Sequence, residues 1–169
     1  MNKLHSLLLA AVITLPGAAR ADEFRVSSPN GKITATVTLD EGQLSYTVHK
    51  DGRLLVAPSP LGLKTTNVDL TQGLNLVSSD TAVIDDPYTL PVGKQSQYRD
   101  HCHMLSVVTE RSSLRQTVQF RLYDDGFAFR YVIPKSRSLS RVVLTEEASR
   151  IRMANFSNSL ACKFIGNIQ

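Results

Sequence analysis

Apolar and polar residues alternate with period two along most of this chain, and the alternation lays out its elements. Ile33, Ala35, Val37 and Leu39 take every second position, Asp40-Glu41-Gly42 supplies a turn, and Leu44, Tyr46 and Val48 resume the alternation. Asp51-Gly52 turns the chain again ahead of Leu54 and Val56. Successive side chains of a strand point to opposite faces. The pattern therefore predicts three strands in meander order, each with one apolar face, fed by a turn at Pro29-Asn30-Gly31. A second group covers 104–110 and a hairpin over 114–133, with a further strand expected at 141–145. In that hairpin Val118, Phe120 and Leu122 alternate, Asp124-Asp125-Gly126 turns, and Phe127, Phe129, Tyr131 and Ile133 continue. A turn this short is expected to hold Gly126 at positive φ, where a side chain would clash. No stretch keeps helical period for three turns.

Residues 58–100 break the pattern. Pro58, Pro60, Pro87 and Pro91 interrupt regular pairing, so the expectation is an irregular covering with short strands near 74–77 and 81–84. Each predicted strand offers one apolar face that must meet another layer. An all-β fold of two antiparallel sheets stacked face to face, a β-sandwich, is the economical result.

The N-terminal residues follow a different logic. Lys3 gives a basic start, 7–15 form an apolar run, Pro16-Gly17 ends it, and Ala19-Arg20-Ala21 places small residues where a signal peptidase reads them. The run is shorter than the roughly 20 apolar residues needed to cross a bilayer. Residues 1–21 are therefore read as a secretory signal peptide cleaved after Ala21, with a periplasmic or secreted mature chain. Residues 22–169 are read as one domain. Losing Lys3 and Arg20 lowers the formal net charge from +4 to +2. The remaining basic residues are interspersed with acids, which excludes a nucleic-acid footprint, and nothing after Ala21 is apolar enough to span a membrane.

Few residues invite chemistry. His101 and His103 would share a face if His101-Cys102-His103 lies on a strand, but a zinc site needs further ligands that the spacing does not supply. Cys102 and Cys162 are the only cysteines, and export would permit a disulfide between them or leave two separate thiols. Glu146-Glu147 are neighbours expected on opposite faces of a strand, which is wrong for a pair flanking one glycosidic bond. Asp124-Asp125 and Asp85-Asp86 are expected in turns and loops. There is no Trp, and most Tyr and Phe fall on core positions. Tyr88 and Tyr98 are the two expected as exposed platforms. Nucleotide fingerprints, phosphate-cradling loops and hydrolase triads are absent from the sequence. No catalytic, cofactor-binding or metal residue is assigned.

Several segments in order resemble the N-terminal domain of glycoside hydrolase family 97. They are Ser28-Pro29-Asn30-Gly31-Lys32, Leu44-Ser45-Tyr46, Asp51-Gly52, Pro58-Ser59-Pro60-Leu61-Gly62-Leu63, Gly93-Lys94, and the FRxYDDGxAFRY wording that starts at Phe120. The resemblance implies a β-supersandwich related to mutarotase-like sugar-binding folds, leading into a catalytic (β/α)8 barrel in calcium-dependent enzymes that cleave α-glucosidic or α-galactosidic bonds. The barrel carries the catalytic groups and needs about 250 residues, so the expectation is a domain truncated before it, with exposed strand edges and a tendency to self-associate. The family's calcium-ligating Glu lies in a TEAD-like segment ahead of a DYPG-like turn. Thr145-Glu146-Glu147-Ala148 matches only in part and lacks the turn, and Leu160 stands near a position where the family often has Trp. The expected function is an accessory carbohydrate-binding domain of a secreted hydrolase, inactive alone and without its own cofactor. The alternatives are a stand-alone carbohydrate-binding module, or a periplasmic structural or interaction sandwich with no sugar ligand.

Overall fold

In the computed structural model, which describes residues 21–89, 91, 97–135 and 141–154, the alternating apolar positions become the facing surfaces of two antiparallel sheets. The first sheet contains β1 (Asp22–Ser27), β2 (Ile33–Asp40), β3 (Gln43–Lys50), β4 (Arg53–Leu61) and β11 (Arg152–Met153), in the order β1-β2-β3-β4-β11. The second contains β6 (Asn75–Thr89), β7 (Gln97–Arg111), β8 (Leu114–Leu122) and β9 (Phe127–Val132), paired consecutively. A short ladder joins β5 (Leu63–Thr65) to β10 (Leu144–Glu147). No helix occurs among the described residues. The fold is the expected all-β antiparallel sandwich.

Its core is one cluster drawn from both sheets. Ala35, Val37, Tyr46, Val48 and Val56 from the first meet Leu105, Val107, Val118, Phe120 and Leu122 from the second. Each Val, Leu or Phe sealed from water there contributes on the order of 1.5–3 kcal/mol. Tyr46 is the hub of the aromatic packing, with ring centroids 5.3 Å from Phe120 and 5.5 Å from Phe129.

Three hairpins use two-residue turns with both residues at positive φ: Glu41-Gly42, Asp51-Gly52 and Ser112-Ser113. That is the turn whose twist matches the strands it joins. The β8–β9 turn differs from its expectation. Leu122 pairs with Phe127, so four residues connect the strands, and none of them has positive φ. The longer loop turns without the left-handed conformation that a two-residue connection demands. A Cβ on Gly126 would meet nothing within 4 Å.

The expectation for 58–100 is also corrected. Pro58 and Pro60 lie within β4, Pro60 opposite Ser45 and Pro58 in the irregularity between Val56 and Ser59. Residues 75–89 and 97–111 form a hairpin of two 15-residue strands rather than an irregular covering. Pro87 is tolerated because β6 is an edge strand and needs no partner on its outer side. Almost all of β6 is exposed, so no alternation marks it. β8 pairs with β7 only as far as His103. Beyond that point residues 85–89 and 97–101 run on as a two-stranded arm. Two further differences are smaller. β1 is a strand not expected from the sequence, although Phe24 and Val26 alternate with exposed Glu23 and Arg25, and the strand expected at 141–145 falls on β10.

Candidate functional site

The outward face of the second sheet carries a polar network. Leu105, Val107 and Thr109 of β7 are buried, so Met104 and Ser106 look away from the core, alongside Gln119 and Arg121 of β8. Arg121 Nη1 donates to Asp100 Oδ2 at 2.8 Å, and the Tyr123 hydroxyl donates to Asp100 Oδ1 at 3.0 Å. The Cys102 thiol lies 3.7 Å from the same oxygen. It has no exposed surface, and burial pushes its pKa up. Further along, Arg130 Nε donates to Gln119 Oε1 at 2.9 Å and Gln119 Nε2 to Ser106 Oγ at 3.2 Å. Asp100 and Arg121 remain roughly a quarter to a third exposed, so donors and acceptors meet solvent in a fixed array. Nothing in the sequence pattern points to this network. Arg121 lies in β8 and Tyr123 just past its end, but only the register brings Asp100 to them.

A second polar joint lies at the other edge. The Tyr131 hydroxyl accepts the Gly62 amide at 2.8 Å and is 2.7 Å from Ser149 Oγ, while Tyr46 donates to the Arg150 carbonyl at 3.3 Å. Burial pushes both phenols up to about 12; Tyr131's proximity also raises Tyr46, and the charge of Glu147 adds to the effect on Tyr131. Such phenols are poor proton donors or acceptors near neutral pH. They act as structural ties.

The residues singled out from sequence separate in space. His101 and His103 lie on β7, and His103 Nδ1 sits 2.8 Å from the Ser27 carbonyl, linking β7 to β1. Glu146 is paired with Lys64 at 2.7 Å across the β5–β10 ladder, while Glu147 is exposed at the end of the same strand. Asp85 is on a strand rather than in a loop and holds Arg99 through both carboxylate oxygens, at 2.5 and 2.7 Å. Asp86 is also on β6. Asp124 accepts the Asn30 amide at 2.8 Å. Cys162, Leu160, Gly93-Lys94 and residues 1–20 lie outside the described residues. Among the described residues no three His, Cys, Asp or Glu side chains converge on a point. A calcium ion gathers six or more oxygens, and Glu146 is engaged with Lys64.

Tyr88 and Tyr98 do come together. They are directly opposed on β6 and β7, with ring centroids 5.5 Å apart and planes 18° from parallel. Tyr88 is 45 % exposed.

The chain is similar to known proteins over this same sandwich. The family model described as Glycosyl-hydrolase 97 N-terminal matches residues 26–164. The chain is 35% identical to a probable retaining alpha-galactosidase of Streptomyces bingchenggensis, over 77% of this chain and 22% of that protein. It is 30% identical to a retaining alpha-galactosidase of Bacteroides thetaiotaomicron, over 78% of this chain and 19% of that protein. It thus spans about a fifth of the length of these relatives. Among solved structures, a beta-arabinopyranosidase superposes with a TM-score of 0.71 at 28% identity, over 77% of this chain and 21% of that one. A glycoside hydrolase family 97 enzyme from Pseudoalteromonas sp. strain K8, in complex with panose, also superposes with a TM-score of 0.71, at 20% identity over 78% of this chain and 20% of that one. With the family model matching most of the sandwich, the chain belongs to the glycoside hydrolase family 97 N-terminal family.

Proposed function

We propose that this chain is an accessory, non-catalytic sandwich of a secreted family 97 hydrolase acting on α-galactosides or related α-glycosides, and that it contacts carbohydrate itself. The observation that carries the reading is the match to about a fifth of two retaining alpha-galactosidases. The acidic residues support it. Glycoside cleavage needs two carboxyl groups held across one bond, whereas Glu146 is tied to Lys64 and Asp85 is tied to Arg99. The outward array of Asp100, Arg121, Gln119 and Arg130 suits hydroxyl-rich ligands, which require many oriented donors and acceptors. Export follows from the signal-peptide pattern, and Asp22 is the expected first residue of the mature protein by mass spectrometry.

Titration calorimetry of the purified chain against melibiose and panose tests the carbohydrate contact. Saturable heat with either sugar supports it. No heat with either would favour a purely structural sandwich.

A further inference from the structure

The two-stranded arm of β6 and β7 ends in an aromatic pair that the core does not use. Tyr88 and Tyr98 stack on each other in the offset geometry that aromatic rings prefer. Register gives them the same face of the arm as Asp86 and Asp100, which are the opposed pair two residues inward. Two residues along a strand is about 7 Å. The aromatic surface therefore runs directly into carboxylates, and one of these is already oriented by Arg121 and Tyr123.

We propose that the outer face of Tyr88, backed by its stack on Tyr98, is a platform for a pyranose ring of an α-linked oligosaccharide, with Asp86 and Asp100 accepting its hydroxyls. The platform rests on the carbohydrate-contact reading above and gives it a location. A sugar ring has an apolar C–H face and a rim of hydroxyls, so it needs a flat aromatic surface bordered by hydrogen-bonding groups. An open groove of about 430 Å³ beside the pair is lined by Pro87, Tyr88, Thr89, Gln97, Tyr98 and Arg99. That is a size suited to a small ligand. A protein partner would instead call for a contiguous apolar patch, which this groove lacks. The pair stands outside the core cluster. β6 is an exposed edge strand, and the arm beyond His103 is only two strands wide.

The test compares the purified chain with Tyr88→Ala, Tyr98→Ala and Tyr88→Phe, using saturation-transfer NMR and titration calorimetry with melibiose and panose. The alanine variants are expected to bind about tenfold more weakly, while Tyr88→Phe keeps most of the affinity because the ring face remains. In the unmodified chain, the Tyr88 and Tyr98 ring protons should show the largest sugar-dependent changes, which gives a readout independent of whether a variant folds. Sugar binding that is unchanged in both alanine variants, with no change at either ring, would overturn the platform and leave the carbohydrate reading standing. An unmodified chain that binds neither sugar would overturn both.

Discussion

The hydroxyl of Tyr131 accepts the backbone amide of Gly62 at 2.8 Å, and through this one bond the edge strand β9 is tied to the junction between β4 and β5. Ser149 completes the joint at 2.7 Å. Replacing Tyr131 with Phe keeps the ring but leaves the Gly62 amide without its acceptor. The expected loss is about 1–2 kcal/mol, read as a lower urea midpoint with an unchanged slope. An unchanged midpoint would show that water replaces the hydroxyl at no cost.

Alkaline pH should act through the same joint. Tyr46 and Tyr131 are raised from 10.0 to about 12, chiefly by burial. The folded chain therefore holds these two protons more tightly than the unfolded chain does. Their contribution is fully present below pH 10 and is lost as pH rises from 10 toward 12, because the unfolded chain gains by ionising first. Urea midpoints measured across this window should fall, and less steeply in Tyr131→Phe. A midpoint that stays constant through pH 12 would contradict the burial of both phenols.

Two glycines should respond in opposite ways. Gly126 has no positive φ and only open space where a Cβ would stand, so Gly126→Ala should shift stability by less than about 0.5 kcal/mol. Gly42 has φ 74° and would place a Cβ 3.0 Å from the Gly73 and Leu74 backbone. Gly42→Ala should cost about 2 kcal/mol. Thermal melts of the two variants decide this, and equal shifts would contradict the turn geometry.

The meander and the β8–β9 hairpin are legible in the sequence because one face of each strand is buried. Val37, Tyr46, Val118 and Phe120 must then recur at every second position. The β6–β7 arm is not legible, for the converse reason. Its strands are mostly solvated along the projecting part, so burial does not select an alternation, and Pro87 resembles a breaker unless the edge position of β6 is known. Gly126 departs from its expectation because a turn sequence alone does not fix loop length, and a four-residue connection frees the glycine from positive φ. Tyr88 and Tyr98 are both expected from the sequence as exposed aromatics, and of the two Tyr98 is half-buried. Their stacking is not expected, because it depends on the register that pairs residues ten apart. Asp100, Arg121 and Tyr123 are hidden for the same reason. Strand parity separates Glu146 from Glu147, and the ion pair with Lys64 gives one of them a structural partner.

If this sandwich assists a hydrolase without being one, its acidic residues should support no glycoside cleavage by themselves. The most direct test is hydrolysis of p-nitrophenyl α-galactoside by the purified chain, with calcium at about 1 mM to fill even weak sites. The expected result is no turnover above the uncatalysed rate, with or without the metal. Turnover that follows the chain through purification and disappears in Glu146→Gln or Glu147→Gln would contradict it.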